Sequence, residues 1–170
     1  NIEIIGAEPS SCPTLTKAPF VYDHGDIAQM TPLLPMYSLG HSFIPAPIHA
    51  GGLRYHGMAP LVSAAVRDGY VNPIAINQSE CFDAGILFAK TEGIIPAPET
   101  THAIAATIRE ALKAKEEGKE KTIVFNFSGH GMMDLVGYEK YLTGQLSDYE
   151  MPQEEINQNL EAIKHYPKPL

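Results

Sequence analysis

Apolar and polar residues follow two spacings along this chain, and each spacing predicts a different kind of element. Apolar residues at helical spacing predict helices over 57–68, 80–92, 100–117, 132–142 and 152–163. Short apolar runs predict strands over 2–6, 73–76, 94–95 and 122–127, the last of them strong and buried. Strands that alternate with amphipathic helices indicate an α/β fold, a three-layer parallel sheet with flanking helices.

Residue types at the element ends sharpen these predictions. Ser79 is a plausible N-cap for the helix over 80–92, and Gly93 suits the left-handed position that follows its last turn. The segment 10–52 has little periodicity and many prolines. Its aromatic and aliphatic residues predict a long loop that packs against the protein.

Composition narrows the functional classes. A chain of 170 residues with 44% apolar and 19% charged residues is ordinary for one globular domain. The net charge of −8 argues against a nucleic-acid partner, because phosphate binding favours a basic surface. No apolar run approaches the ~20 residues that span a bilayer. Cys12 and Cys81 form no CxxC pair, which fits a reducing cytoplasm.

Ligands of parallel α/β sheets bind beyond the carboxyl ends of the strands, where three loops of this chain are expected. Glu99 lies between a predicted strand and the clearest helix, so it is either a helix N-terminal acid or a carboxylate that faces a ligand. Ser128 either caps the next helix or presents its hydroxyl to a ligand. Arg54, flanked by glycines, either binds an anion or holds its loop through a salt bridge.

Other catalytic motifs are absent from the sequence or weak. The chain has no GxSxG, GxGxxG or P-loop motif. Asp23, His24 and Asp26 form a candidate metal site, and with it a metal-dependent hydrolase, but they lack a standard ligand spacing. A loop aspartate that bonds its own backbone is the simpler interpretation of Asp23 and Asp26.

Three motifs together resemble a known family. GLRYHGMAPLVS, TEGIIPAPETTHAIA and VFNFSGHGMMDL, in this order and spacing, resemble the carboxy-terminal part of the tryptophan synthase β subunit. The likeness is greatest to its second, often stand-alone branch, and it runs across nearly the whole chain. It implies a pyridoxal phosphate enzyme of fold type II that joins L-serine and indole to give L-tryptophan.

The resemblance also implies roles for residues at matching positions. In the family, the serine of the SGxG turn bonds the pyridine nitrogen of the cofactor, which implies that Ser128 and the adjacent Gly129 bind the cofactor. The family's glycine loop packs beside the cofactor, which implies the same for Gly52. The glutamate of the IIPAxE motif faces cofactor and indole, which implies a catalytic role for Glu99.

Further ligands follow from the same resemblance. At the position of Arg54 the α-partnered branch has an aspartate, whereas the second branch has an arginine as this chain does. Arg54 is expected to bind the substrate. The backbone carbonyls of Tyr55 and Gly57 are expected to contribute to a monovalent-cation site. The resemblance implies a cytoplasmic homodimer when the protein is full length, and it raises an α subunit as a further partner.

The family's Schiff-base lysine and phosphate loop precede the matching part of the family sequence. No lysine of this chain lies in a matching motif, so we expect residues 1–170 to be the C-terminal portion of the fold, without its N-terminal half, and to be inactive alone. Two alternatives stay open at this point: a non-catalytic binding or assembly domain that keeps the fold, and a serine deaminase.

Overall fold

The computed structural model describes residues 2–169, which divide into two compact units. The first unit contains residues 2–46, 54–75 and 149–169, and the second contains Pro47–Leu53 and Ile76–Asp148. The strands are β1 (Ile5–Pro9), β2 (Phe20–His24), β3 (Leu33–Tyr37) and β4 (Asn72–Ile76). The helices are α1 (Pro60–Arg67), α2 (Gln78–Glu92), α3 (Pro98–Glu116), α4 (Leu135–Leu142) and α5 (Gln153–Leu160), with short 3-10 turns at Gly51–Leu53 and Gly131–Met133.

The first unit contains two strand pairs and a small core. Strand β1 pairs with β4, and β2 pairs with β3 in antiparallel register, from Phe20 opposite Tyr37 to His24 opposite Leu33. Its buried apolar core consists of Cys12, Ala18, Leu39, Phe43, Met151 and Ile156. Residues 10–52 do pack as predicted, but the sequence analysis missed the β2–β3 hairpin, because a proline, Pro35, lies within β3 and the tip is not a short Asn-Gly type of turn.

The second unit is built on the close contact between α2 and α3. Gly85 allows this contact, since a Cβ at that position would lie 2.7 Å from Thr101 Cγ2 and 2.8 Å from the Tyr138 hydroxyl. The Phe82 ring meets the Tyr138 ring edge to face, with centroids 5.0 Å apart. Gly93 ends α2 in the left-handed conformation, with φ of 71°, and confirms its predicted position after the last turn.

Several predicted element ends are wrong by a few residues. Helix α2 begins at Gln78 with Asn77 in the N-cap position, because the Ser79 amide and hydroxyl both donate to Asp148 instead. Helix α3 begins two residues early, at Pro98, because a fixed φ suits proline to the first turn. The predicted strand over 2–6 is observed at Ile5–Pro9, and the helix predicted over 132–142 is divided between a 3-10 turn and α4.

The strand predicted over 122–127 is wrong, and so is the one over 94–95. Within residues 2–169 the segment 122–127 joins no strand ladder, and Val124 is 88% exposed. Instead, the Phe125 and Phe127 rings pack on Phe88 at centroid distances of 6.0 and 5.4 Å. Apolar, β-branched residues favour a pleated surface, but a strand also needs a hydrogen-bonded neighbour. Residues 94–96 contribute an isolated bridge from Pro96 to His130.

The helices of residues 2–169 are all too short or too polar to cross a bilayer.

Candidate active site

A backbone amide holds the carboxylate on the first turn of α3. Ala97 occupies the N-cap position without a side-chain hydrogen bond, and Pro98 has no N–H to donate. Glu99 is half-buried, and its Oε1 accepts the Gly52 amide at 2.8 Å. The positive end of the helix dipole adds a favourable field for the same carboxylate. Two segments 47 residues apart in sequence therefore meet at Glu99.

Gly52 packs closely against the carboxylate that its amide binds. A Cβ on Gly52 would lie 3.2 Å from Glu99 Oε1 and 3.3 Å from Glu99 Cγ, closer than side chains ordinarily pack. A side chain at this position would therefore require the Glu99 side chain to shift by a few tenths of an ångström. Gly52 thus fixes the position of the Glu99 carboxylate.

The Ser128–Gly129 turn meets the same helix. The buried Thr100 hydroxyl donates to the Ser128 carbonyl, and the two side-chain oxygens lie 3.3 Å apart. Ser128 itself is exposed. Gly129 has φ of 71°, a left-handed conformation that favours glycine, and its missing Cβ would lie 3.3 Å from Ala97 Cβ. The turn therefore approaches the N-terminus of α3 closely and leaves the serine hydroxyl accessible.

Two more hydrogen bonds join the loop before α3 to the turn after Ser128. The Gly131 amide donates to the Ile95 carbonyl at 2.8 Å, and the Tyr138 hydroxyl donates to the Pro96 carbonyl at 2.6 Å. A Cβ on Gly131 would clash with the Pro96 carbonyl oxygen. Burial raises the pKa of Tyr138, so its hydroxyl stays protonated as a donor.

His102 lies one turn into α3 and is 2% exposed. Its Nδ1 donates to the Pro98 carbonyl at 2.9 Å, and Nε2 has no hydrogen-bond partner among the described residues. Burial lowers the pKa of His102, so its ring is neutral near pH 7. The histidine contributes to the structure of the first turn that presents Glu99.

Comparison with known proteins identifies the family. The family model described as "Pyridoxal-phosphate dependent enzyme" matches residues 1–129. The chain belongs to that family. The match confirms the predicted fold class, the α/β architecture of pyridoxal phosphate enzymes of fold type II, and the cofactor on which the family depends.

Relatives within the pyridoxal phosphate family confirm the resemblance stated above. The chain is 57% identical over 148 residues to the tryptophan synthase beta chain 2 of Aquifex aeolicus, which is 87% of this chain and 34% of the relative. It is 58% identical over 146 residues to the tryptophan synthase beta chain 2 of Methanothermobacter thermautotrophicus, which is 86% of this chain and 34% of the relative. It is 55% identical over 150 residues to the tryptophan synthase beta chain of Thermococcus onnurineus, 88% of this chain and 34% of the relative. The chain therefore spans about a third of the length of these relatives.

The second unit presents groups that fit pyridoxal phosphate. Ser128 offers an exposed hydroxyl, which can donate to or accept from a ring nitrogen. The missing Cβ atoms of Gly52 and Gly129 let their backbone pack closely against Glu99 and Ala97, which brings these groups together at the start of α3. The residues brought together here are the ones that the sequence motifs predicted.

The remaining predicted site residues belong to the first unit. Arg54 is exposed. Burial raises the pKa of the Cys12 thiol, and the positive charge of Arg54 partly offsets that rise. The Tyr55 carbonyl accepts the Thr14 hydroxyl at 3.4 Å. Gly57 lies in an isolated bridge, where a Cβ would approach a methionine sulfur to 2.5 Å. The substrate-binding role of Arg54 and the cation-binding roles of Tyr55 and Gly57 stay predictions.

The alternative metal site has other structural roles. Asp26 accepts the amides of Met30 and Thr31 at 3.1 and 2.8 Å, and these bonds lower its pKa to about 2. Asp23 is fully buried and accepts from the His24 amide, the Ser38 hydroxyl and His41 Nδ1. Asp26 thus bonds the backbone of its own hairpin loop, as the simpler interpretation predicted, whereas Asp23 lies on strand β2 and also bonds the side chains of Ser38 and His41, which follow the hairpin. Residues 2–169 contain no group of three or more His, Cys, Asp or Glu side chains placed to hold a metal ion.

Sequence reasoning missed Thr100 and Tyr138. Thr100 follows Glu99 directly in the first turn of a helix, so its place beside a candidate catalytic residue was a usable signal. Tyr138 reaches Pro96 across 42 residues of sequence, and nothing in its local pattern indicates that contact.

Proposed function

We propose that the whole protein, meaning this chain with any further sequence that its gene encodes, is a pyridoxal phosphate-dependent lyase. It would join L-serine to indole and give L-tryptophan, the activity that the resemblance implies and that the names of its relatives suggest. The observation that carries the proposal is the meeting of Glu99, held by Gly52, with the Ser128 turn at the start of α3.

Each residue of this constellation has a chemical task in the proposal. When bound, pyridoxal phosphate supplies an electron sink for a developing carbanion. Ser128 holds the pyridine nitrogen through a neutral hydroxyl, and Gly129 lets the backbone come close to the ring. Glu99 assists proton movement at indole, and the Gly52 amide keeps its carboxylate oriented for that task. Arg54 belongs to the first unit, and the resemblance alone implies that it binds the substrate.

The test is Ser128→Ala in the whole protein, measured as the visible spectrum of the bound cofactor and as the turnover of serine and indole. We expect a shifted spectrum and a lower rate of tryptophan formation, because the variant loses the only side-chain contact proposed for the ring nitrogen. An unchanged spectrum with unchanged turnover would sink the role of Ser128. Pyruvate measured in the same reactions separates tryptophan synthesis from serine deamination.

The other expectations stay predictions within this proposal. A homodimer, an α subunit, a monovalent cation and a cytoplasmic location follow from the resemblance alone. The inactivity of residues 1–170 alone is also untested, and it can be checked by adding pyridoxal phosphate, serine and indole to this chain and measuring tryptophan.

A further inference from the structure

Helix α4 contacts both of the segments that meet at Glu99. The Tyr138 hydroxyl donates at 2.6 Å to a backbone carbonyl in the loop that leads into α3. The preceding residue, Gly137, faces His49, three residues before the Gly52 amide that donates to the Glu99 carboxylate. Two adjacent residues of one short helix therefore reach the segments of both partners of this hydrogen bond.

The missing side chain of Gly137 lets α4 pack closely against His49. A Cβ on Gly137 would lie 3.3 Å from both Cβ and Cγ of His49 and 3.1 Å from Phe82 Cζ, closer than side chains ordinarily pack. Phe82 is 1% exposed, and its ring packs against those of Tyr138 and Tyr141 at centroid distances of 5.0 and 5.7 Å, so it has little room to move. A side chain at position 137 would therefore require His49 to shift by a few tenths of an ångström.

The backbone between His49 and Gly52 is held, so we expect it to transmit such a shift. Ala50 is 3% exposed, and its carbonyl accepts the Leu53 amide at 3.0 Å, which closes the 3-10 turn that contains Gly52. A shift of His49 would thus move the turn as one piece. The Gly52 amide would then lie farther from, or at a worse angle to, the Glu99 carboxylate, which it now meets at 2.8 Å.

We propose that Gly137 is a positioning residue for the Glu99 carboxylate. By leaving room for His49, it sets the place of the Gly52 amide, and through this amide the place of the carboxylate. The inference rests on the proposed function, in which Glu99 assists proton movement at indole, and it extends that function to a residue that acts through His49 and Gly52.

The experiment is hydrogen exchange of the whole protein at sub-second labelling times, read by mass spectrometry with fragmentation that resolves single amides. Gly137 lies within α4, where alanine favours the helix, so faster exchange at Gly52 would not come from a weaker helix. We expect exchange of the Gly52 amide to be about threefold faster in Gly137→Ala and about tenfold faster in the larger Gly137→Val, because its bond to the Glu99 carboxylate is weakened.

An internal control and two variants accompany this measurement. The Gly131 amide, which donates to the Ile95 carbonyl at 2.8 Å, is read in the same experiment and should change little. Val136→Ala alters a residue of α4 that is 61% exposed, and it should leave both amides unchanged. In a His49→Ala background, where the ring is gone, Gly137→Ala should have a smaller effect on Gly52 than in the wild-type background.

The possible outcomes separate the two proposals. Unchanged exchange at Gly52 in both Gly137 variants would overturn the positioning role. Equal acceleration at Gly52 and Gly131, or failure of both variants to fold, would assign Gly137 to the stability of α4 and overturn it as well. If only Gly137→Val fails to fold, Gly137→Ala decides. A wild-type protein that forms no tryptophan would refute the proposed function, and the exchange comparison would still decide whether Gly137 positions the bond between Gly52 and Glu99.

Discussion

Replacing Gly85 with alanine should destabilise the second unit, although alanine is the better helix former. Gly85 lies inside α2, where it faces Thr101 on α3 and the hydroxyl of Tyr138. A Cβ there would lie 2.7 Å from Thr101 Cγ2 and 2.8 Å from the Tyr138 oxygen, both well inside ordinary contact distance. Either the helices separate or Tyr138 leaves its bond to the Pro96 carbonyl.

Whether Gly85→Ala stabilises or destabilises the second unit depends on helix propensity on one side and on overpacking and a lost hydrogen bond on the other. Alanine gains about 1 kcal/mol over glycine in a helix interior. Overpacking costs about 1–3 kcal/mol, and a buried hydroxyl or carbonyl left without its partner costs about 1–3 kcal/mol more. These terms sum to a net loss of about 1–5 kcal/mol in the local stability of α2 and α3, and about 2 kcal/mol is a conservative value within that range.

Hydrogen exchange of the α2 and α3 amides in the whole protein, read by mass spectrometry, measures this loss. A loss of about 2 kcal/mol corresponds to exchange about 30-fold faster. Adding Thr101→Ser to Gly85→Ala removes the Cγ2 methyl, and part of the protection should return. Exchange in Gly85→Ala as slow as in wild type, or slower, would refute the close packing of these helices.

Two further predictions concern buried ionisable groups. Because burial lowers the pKa of His102 below its usual 6.5, the unfolded chain binds more protons, and stability falls as the pH drops below about 6.5, by up to about 1.4 kcal/mol per pH unit. The free energy of unfolding in urea, measured at pH 7 and pH 5.5, should change less in His102→Gln than in the wild-type protein. An equal change in both proteins would contradict the role of His102. Asp23→Asn places an amide where Ser38 and His41 need an acceptor, and it should cost about 3 kcal/mol in urea unfolding at pH 7. Asp26→Asn, at the exposed tip of the hairpin, serves as the control and should lose less stability. If Asp23→Asn were as stable as the wild-type protein, the buried hydrogen bonds of Asp23 to Ser38 and His41 would not stabilise the fold.

Local patterns were enough to predict the helices, but not the pairing of strands. Helix α3 is evident from sequence because its hydrogen bonds and its apolar face are both made within 19 residues. The segment 122–127 has an equally clear apolar pattern, yet within residues 2–169 it has no hydrogen-bonded neighbour. A strand depends on residues distant in the chain, so its composition alone does not determine whether it pairs.

The candidate site divides in the same way. Glu99 and Ser128 could be named from motifs, since each motif fixes a residue type at a local turn. The contacts that place them, from Gly52 to Glu99 and from Thr100 to Ser128, join residues 47 and 28 positions apart. No periodicity encodes such contacts, because one partner is a backbone amide or carbonyl that any sequence supplies.

Hydrogen bonds to the backbone hold the candidate site together, and glycines allow the close approach that these bonds need. The segments around Pro96 and Ser128 are joined by the Gly131 amide, the Tyr138 hydroxyl and the Thr100 hydroxyl, all of which donate to backbone carbonyls. A backbone carbonyl has no side-chain rotamers to restrict, so the two segments are held together at little cost in conformational entropy. The backbone at Ser128 and the first turn of α3 is therefore held by hydrogen bonds before any ligand binds, and in the proposed function this is the preorganisation that catalysis requires.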